Sequence, residues 1–264
     1  MRPRLPSYDH FSVAVGVFVG GCLLALASLV GLPLEEPLGG VALVVALAVW
    51  TLLAQVPERV NAMLARRLHV VVGVLSCAPM VVLAANRLVG RLDSSPPLAD
   101  PSPWVPLGIG VGGVVVAAVG EHRYATHCYE TEGIHAIVTT TPRARWRQFL
   151  SSLVWGTLGY ALVTFALDTA SLFGLAAFGV LHAVLNPPSA KDLVVLDSGL
   201  LIRDDEDSGG SLTPWRRIRG VDVVDGTLRV RRGLPFPRTY RCDFSEHEEA
   251  KRVADAIRRC RRRT

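Results

Sequence analysis

The 264 residues carry 28 basic and 23 acidic side chains, a formal net charge of +5, and half of them are hydrophobic while only 19% are charged. A soluble domain of this size ordinarily has about 25% charged residues, so the deficit and the long apolar runs point to lipid. The balance excludes a disordered chain, a disulfide-stapled secreted miniprotein and an ordinary soluble enzyme. Arginine supplies 26 of the 28 basic residues, and 17 basic against 13 acidic residues lie from position 187 onward. Most of the excess positive charge therefore sits in the last third.

Spanning about 30 Å of hydrocarbon takes roughly 20 apolar residues. Six runs meet or approach that length: 11–31, 38–56, 69–85, 104–120, 149–167 and 169–185. The first is too long for the h-region of a signal peptide and reads as a retained transmembrane helix. With the N-terminus placed inside, the inner segments hold Arg2, Arg4, Arg59, Arg66, Arg67, Arg123, Arg143, Arg145 and Arg147. The outer segments hold only Arg87 and Arg91, so the positive-inside bias puts both termini in the cytoplasm of a multi-pass plasma-membrane protein. Gly16 with Gly20, and Gly108 with Gly112, form GxxxG pairs that permit close helix approach and make an oligomer through these spans an option. Residues 108–113 also spell GxGxxG, but inside an all-apolar span this is helix packing rather than a dinucleotide loop.

The segment Cys128–Val138 reads as strand, turn, strand, either pairing with the tail or standing as an ordered loop. From Asp192 the pattern becomes that of short strands. Leu193–Leu196 and Leu200–Ile202 flank an Asp197-Ser198-Gly199 turn, and Pro214–Ile218 leads into another apolar stretch. Asp225-Gly226 is a type I′ turn signal, which sets Asp222 opposite Arg229 and Val223 opposite Leu228. Tyr240, Cys242 and Phe244 alternate with charged residues as a half-buried strand. Ala250, Val253, Ala254, Ile257 and Cys260 then form one stripe of a terminal amphipathic helix. The fold class expected is an α-helical membrane bundle of about six spans over residues 1–186. A small α+β cytoplasmic domain follows over 187–264, with about five antiparallel strands and a C-terminal helix.

The succession of strand, DSG turn, strand, PWRRIRGVDV segment, DGTLRV hairpin, strand and helix resembles the bacterial PH-like domain over about 75 residues. The resemblance implies a binding module on a membrane protein. It transfers no ligand residues.

No nucleophile elbow, paired zinc histidines or phosphate loop occurs. Cys22, Cys77, Cys128, Cys242 and Cys260 show no CxxC spacing and read as free thiols. His122, His127, Cys128 and His135 cluster in one loop without a structural-finger spacing, so no metal, cofactor or catalytic residue is assigned. His182 inside the sixth run reads as a neutral, hydrogen-bonded histidine. Arg216, Arg217, Arg219, Arg229, Arg231 and Arg241 form the candidate docking face, each worth about 1 kcal/mol beside an anionic leaflet. The leading expectation is a non-enzymatic membrane protein whose tail docks a protein partner or anionic head groups, with no nucleic acid. A small transporter or channel with a regulatory tail is the alternative, and a membrane enzyme built on the His/Cys loop comes third.

Overall fold

In the computed structural model the described residues are 9–30, 36–93, 104–141, 190–203, 210–234 and 238–263, with isolated positions between 150 and 184. The chain forms two compact units, residues 1–120 with 149–186, and residues 121–148 with 187–264. Of the described residues, 121–141 fall in the second unit, alongside the 187–264 expected for the tail.

In the first unit, α1 (His10–Leu29) opens on Asp9, whose carboxylate accepts the backbone N–H groups of Phe11 and Ser12 at 3.3 and 3.2 Å. It packs on α2 (Glu36–Gln55) through the expected glycine pair. A Cβ on Gly16 would stand 2.5 Å from the Ala46 carbonyl oxygen, and one on Gly20 would stand 2.8 Å from that of Ala42. Small residues on both helices thus bring the backbones together.

A short helix, α3 (Pro57–Ala65), follows where the sequence suggested only a charged loop. Proline at its first turn and the buried i, i+4 pair Val60 and Leu64 account for it. Arg67, with φ of 61°, turns the chain into the next helix.

The third apolar run is two helices, α4 (Leu68–Ser76) and α5 (Ala78–Asp93), rather than one continuous helix over 69–85. Pro79 has no N–H to give the carbonyl four residues back, and the Cys77 N–H turns instead to Val74 O at 3.2 Å.

The fourth run is longer than expected. Helix α6 spans Trp104–Thr131, 28 residues and about 42 Å of rise, so residues 128–131 are helical and not a strand. Its glycines are used differently from the expected GxxxG pair. Gly108 has no neighbour within 4 Å of a modest side chain, whereas a Cβ on Gly112 would meet the Phe18 ring at 2.8 Å. Gly113 sits hard against Ser76, and Gly110 lies beside Met80. Among the described residues, four stretches are long and apolar enough to cross a membrane, namely His10–Ser28, Pro37–Gln55, Leu68–Asn86 and Val105–Thr131. The expected fifth and sixth spans, with Asp168 and His182, lie almost wholly outside the described residues.

Among the described residues, six strands lie within 187–264, where about five were expected, and a seventh comes from residues 136–139. Strands β1 (Ala136–Thr139), β2 (Asp192–Val195), β3 (Gly199–Arg203) and β4 (Ser211–Pro214) form one antiparallel sheet in that order. A single 3-10 turn at Trp215–Arg217 leads to the second sheet, β5 (Ile218–Val224), β6 (Thr227–Arg232) and β7 (Arg238–Asp243). Helix α7 (His247–Arg263) closes the chain. The two sheets and α7 share one core, in which Leu193, Leu200, Trp215, Ile218, Leu228, Val230, Cys242 and Ile257 are buried.

The strand contributed by residues 136–139 answers the open question about the 128–138 segment, since β1 pairs with β2 in register Ala136↔Val195 to Thr139↔Asp192. Beyond β1, Thr141 donates its backbone N–H to Arg241 O at 2.8 Å, which ties the outer strand of the first sheet to β7 of the second.

The sequence Leu193–Leu196 is apolar without alternation because the first sheet is covered on both sides. Leu193, Val195, Leu200 and Ile202 face the shared core, while Val194, Leu196, Leu201 and Leu212 pack on Ala125 and Cys128 of α6. At the C-terminal end of that helix Glu121 Oε1 accepts the Leu212 N–H at 3.1 Å, and the Arg203 guanidinium lies 4.6 Å from the Tyr129 ring centre.

The β5–β6 hairpin forms as its turn chemistry requires. Asp225 and Gly226 take φ of 50° and 75°, and the register pairs Asp222 with Arg229 and Val223 with Leu228. Helix α7 covers the outer edge of β5. Arg258 Nη2 donates to Val221 O at 3.1 Å and Arg261 Nη1 to Arg219 O at 3.5 Å, so side chains occupy backbone acceptors that an exposed edge would otherwise offer to another strand.

Candidate functional site

The six arginines singled out from the sequence divide into two groups. Strand alternation places Arg229, Arg231 and Arg241 on the outer face of the second sheet, because Leu228, Val230, Tyr240 and Cys242 turn inward. Arg229 stands directly opposite Asp222 on one side and Arg241 on the other. The Asp222 carboxylate is nevertheless bound by Arg231, two residues along β6, so the direct cross-strand pair expected from the turn register becomes a diagonal one. The second acid on this face, Asp243, accepts a hydrogen bond from Thr227 Oγ1 at 2.9 Å. Arg229 and Arg241 therefore remain as like charges directly opposite, an arrangement that costs stability in a sheet. The Arg229 Nε is buried and has no hydrogen-bond acceptor.

The second group, Arg216, Arg217 and Arg219, lies on the 3-10 turn and the start of β5. Arg216 and Arg219 are exposed and Arg217 is half-buried. Their backbones hold the fold together: Arg217 O accepts the Gly233 N–H at 2.6 Å, and Arg219 O accepts Arg261. Two of the six, Arg217 and Arg219, thus serve the fold with their main chain whatever their side chains contact.

The His/Cys cluster is dispersed. Cys128 is buried against the first sheet, while His122 lies six residues before it on the same helix and His127, the residue just before it, projects about 100° away around the axis. His135 instead meets residues from two other segments. Its Nε2 lies 2.8 Å from Asp197 Oδ1, in the β2–β3 turn, and the Cys260 thiol of α7 completes a group whose ligand atoms all lie within 4.8 Å of one another.

The turn is held from several sides. Trp215 Nε1 donates to Asp197 O at 2.9 Å, Glu132 Oε2 accepts the Ser198 N–H at 2.8 Å, and His135 N donates to Val195 O at 2.9 Å. Gly199 is required there, since any Cβ would overlap the Thr213 carbonyl. Burial, and then the Asp197 charge, push the Cys260 thiol up, while Arg263 and Arg259 pull it down. Cys242, in the core of the second sheet, is pushed up to about 12 by burial and then by Asp243.

Sequence reading missed this trio because its members are separated along the chain by dozens of residues. The available signal was indirect. His135 lies just before a short apolar alternation, Asp197 sits in a turn, and Cys260 ends an amphipathic stripe. The chain matches no protein-family model and no curated protein.

Proposed function

We propose that this is a non-enzymatic, six-span plasma-membrane protein with both termini in the cytoplasm, and that its second unit is a PH-like module docking on the anionic inner leaflet. The observation that carries the docking reading is the outer face of β5–β7. There Arg229 and Arg241 oppose each other while both nearby aspartates are engaged elsewhere. A sheet tolerates such a pair at a cost, and an anionic head group between the two guanidiniums turns the repulsion into two charge-assisted hydrogen bonds. The PH-like reading is supported by the strand-rich architecture closed by a terminal helix, as the sequence resemblance implies. Orientation rests on the arginine bias between the short loops.

The test uses the full chain in lipid nanodiscs, labelled at the exposed Thr239 beside Arg241. With head-group-quencher lipids, anionic discs should quench the label strongly and purely zwitterionic discs should not. The quenching should fall at high salt, because exposed charges are screened within about 10 Å at 0.1 M, and in the Arg229→Glu/Arg241→Glu variant. Equal quenching in both lipid compositions, or no effect of the double charge reversal, would remove the proposal.

A further inference from the structure

His135, Asp197 and Cys260 bring an imidazole, a carboxylate and a thiol to one end of the paired sheets, from three segments that meet only in the folded unit. These are three of the donor types that zinc takes, and three protein donors with one open position is a common zinc arrangement. In a tetrahedral shell with bonds of about 2.0–2.3 Å, donor atoms stand roughly 3.3–3.8 Å apart. The trio brackets that spacing, with His135 and Asp197 at 2.8 Å and every pair within 4.8 Å. Small side-chain adjustments suffice, since His135 and Asp197 lie on exposed turns.

The supporting contacts are also in place. The backbone on either side of the carboxylate is fixed by the Trp215 indole and by His135 N, and the thiol sits on a helix whose arginines grip β5. Ligands held by neighbours in this way are a usual feature of metal sites. A buried thiol that is otherwise protonated releases its proton to the solvent when the metal binds as thiolate.

We infer that His135, Asp197 and Cys260 bind a zinc ion that fastens β1, the β2–β3 turn and α7 to one another. The fourth position is left to an exchangeable ligand such as water. The physical sense of such a staple is that β1 reaches the module from a segment 53 residues from its partner across the Thr139–Asp192 pair, so its docking closes a long loop.

The experiment measures metal content of the detergent-purified full chain, produced without a polyhistidine tag, loaded with zinc and dialysed against a weak chelator. The expected result is about one zinc per chain, falling below about one tenth in Asp197→Asn and in Cys260→Ser, and unchanged in Cys128→Ser. Cobalt loading supplies an independent readout that needs no comparison of stabilities. The wild-type chain should show a thiolate-to-cobalt charge-transfer band in the near ultraviolet, which His135→Gln weakens and Cys260→Ser abolishes. Asp197→Asn changes an exposed side chain, so it reports even where the buried Cys260→Ser variant misfolds. Substoichiometric zinc in the wild-type chain, or full retention in Asp197→Asn together with an unchanged cobalt band, overturns the site and leaves a hydrogen-bonded His–Asp pair above a buried thiol.

Discussion

Replacing Leu201 by alanine tests whether the first sheet of the second unit is buried on both faces. Leu201 is 1% exposed, as its neighbour Leu200 is 0% exposed, yet the two side chains point to opposite faces. Leu200 faces the core shared by the two sheets, and Leu201 faces Ala125 and Cys128 of α6. An isolated five-stranded tail domain would leave the second of those faces in water, and truncating Leu201 would then change stability by less than about 0.5 kcal/mol. With α6 in place the substitution removes a buried side chain and leaves a cavity, a loss of about 2–5 kcal/mol. For a domain of roughly a hundred residues, 3 kcal/mol lowers the melting temperature by more than about 10 °C. The measurement is a thermal melt of the full chain in detergent followed with a thiol-reactive fluorophore. Cys22 and Cys77 are replaced by alanine, so that Cys128, Cys242 and Cys260, all buried in the second unit, report its opening. Leu200→Ala and Leu201→Ala should shift the transition by similar amounts. A normal melt for Leu201→Ala beside a strongly lowered one for Leu200→Ala would refute the two-sided burial and the assignment of residues 121–131 to this unit.

Other consequences follow from single contacts. Gly20→Leu drives a side chain into the Ala42 carbonyl and should cost about 1–3 kcal/mol, read as a lowered melting temperature of the helical unit, while Gly108→Leu, with open space around it, should be close to neutral. The Cys242 thiol is raised from 9.0 to about 12 in the folded state. Between those values the unfolded chain binds fewer protons than the folded one, so stability should fall as pH rises through that window, by at most about 1.4 kcal/mol per pH unit, and Cys242→Ala should flatten that part of the curve. Arg258→Ala exposes the Val221 carbonyl on the β5 edge and should cost about 0.5–1.5 kcal/mol, with faster amide exchange confined to α7 and β5.

The β5–β6 hairpin was legible residue by residue, because Asp225-Gly226 admits only a turn with two positive φ values and the alternation then fixes every facing pair. The first four apolar runs were equally plain, since length and lack of charge are local properties. What the sequence left open lies where two distant segments decide the outcome. Pro79 is visible in the third run, but whether a proline kinks or divides a helix depends on which neighbours take up the freed carbonyl. The continuous apolar letters of Leu193–Leu196 imply two covered faces without saying what covers the second. Alternation put Arg229, Arg231 and Arg241 on the polar face of their strands, yet the pairing of Asp222 with Arg231 rather than Arg229 is a matter of side-chain reach that spacing alone does not fix.

By itself, then, the sequence determined which of the described stretches are greasy helices, where the tightest turn falls and which residues of the β5–β6 hairpin and β7 face inward, because those follow from hydrophobic periodicity and backbone sterics within a few residues. Only the tertiary structure decided that residues 121–141 complete the tail's sheet, that Arg229 and Arg241 face one another without an acid between them, and that His135, Asp197 and Cys260 meet. Those juxtapositions are set by which surfaces bury against which, a long-range choice that no local pattern encodes.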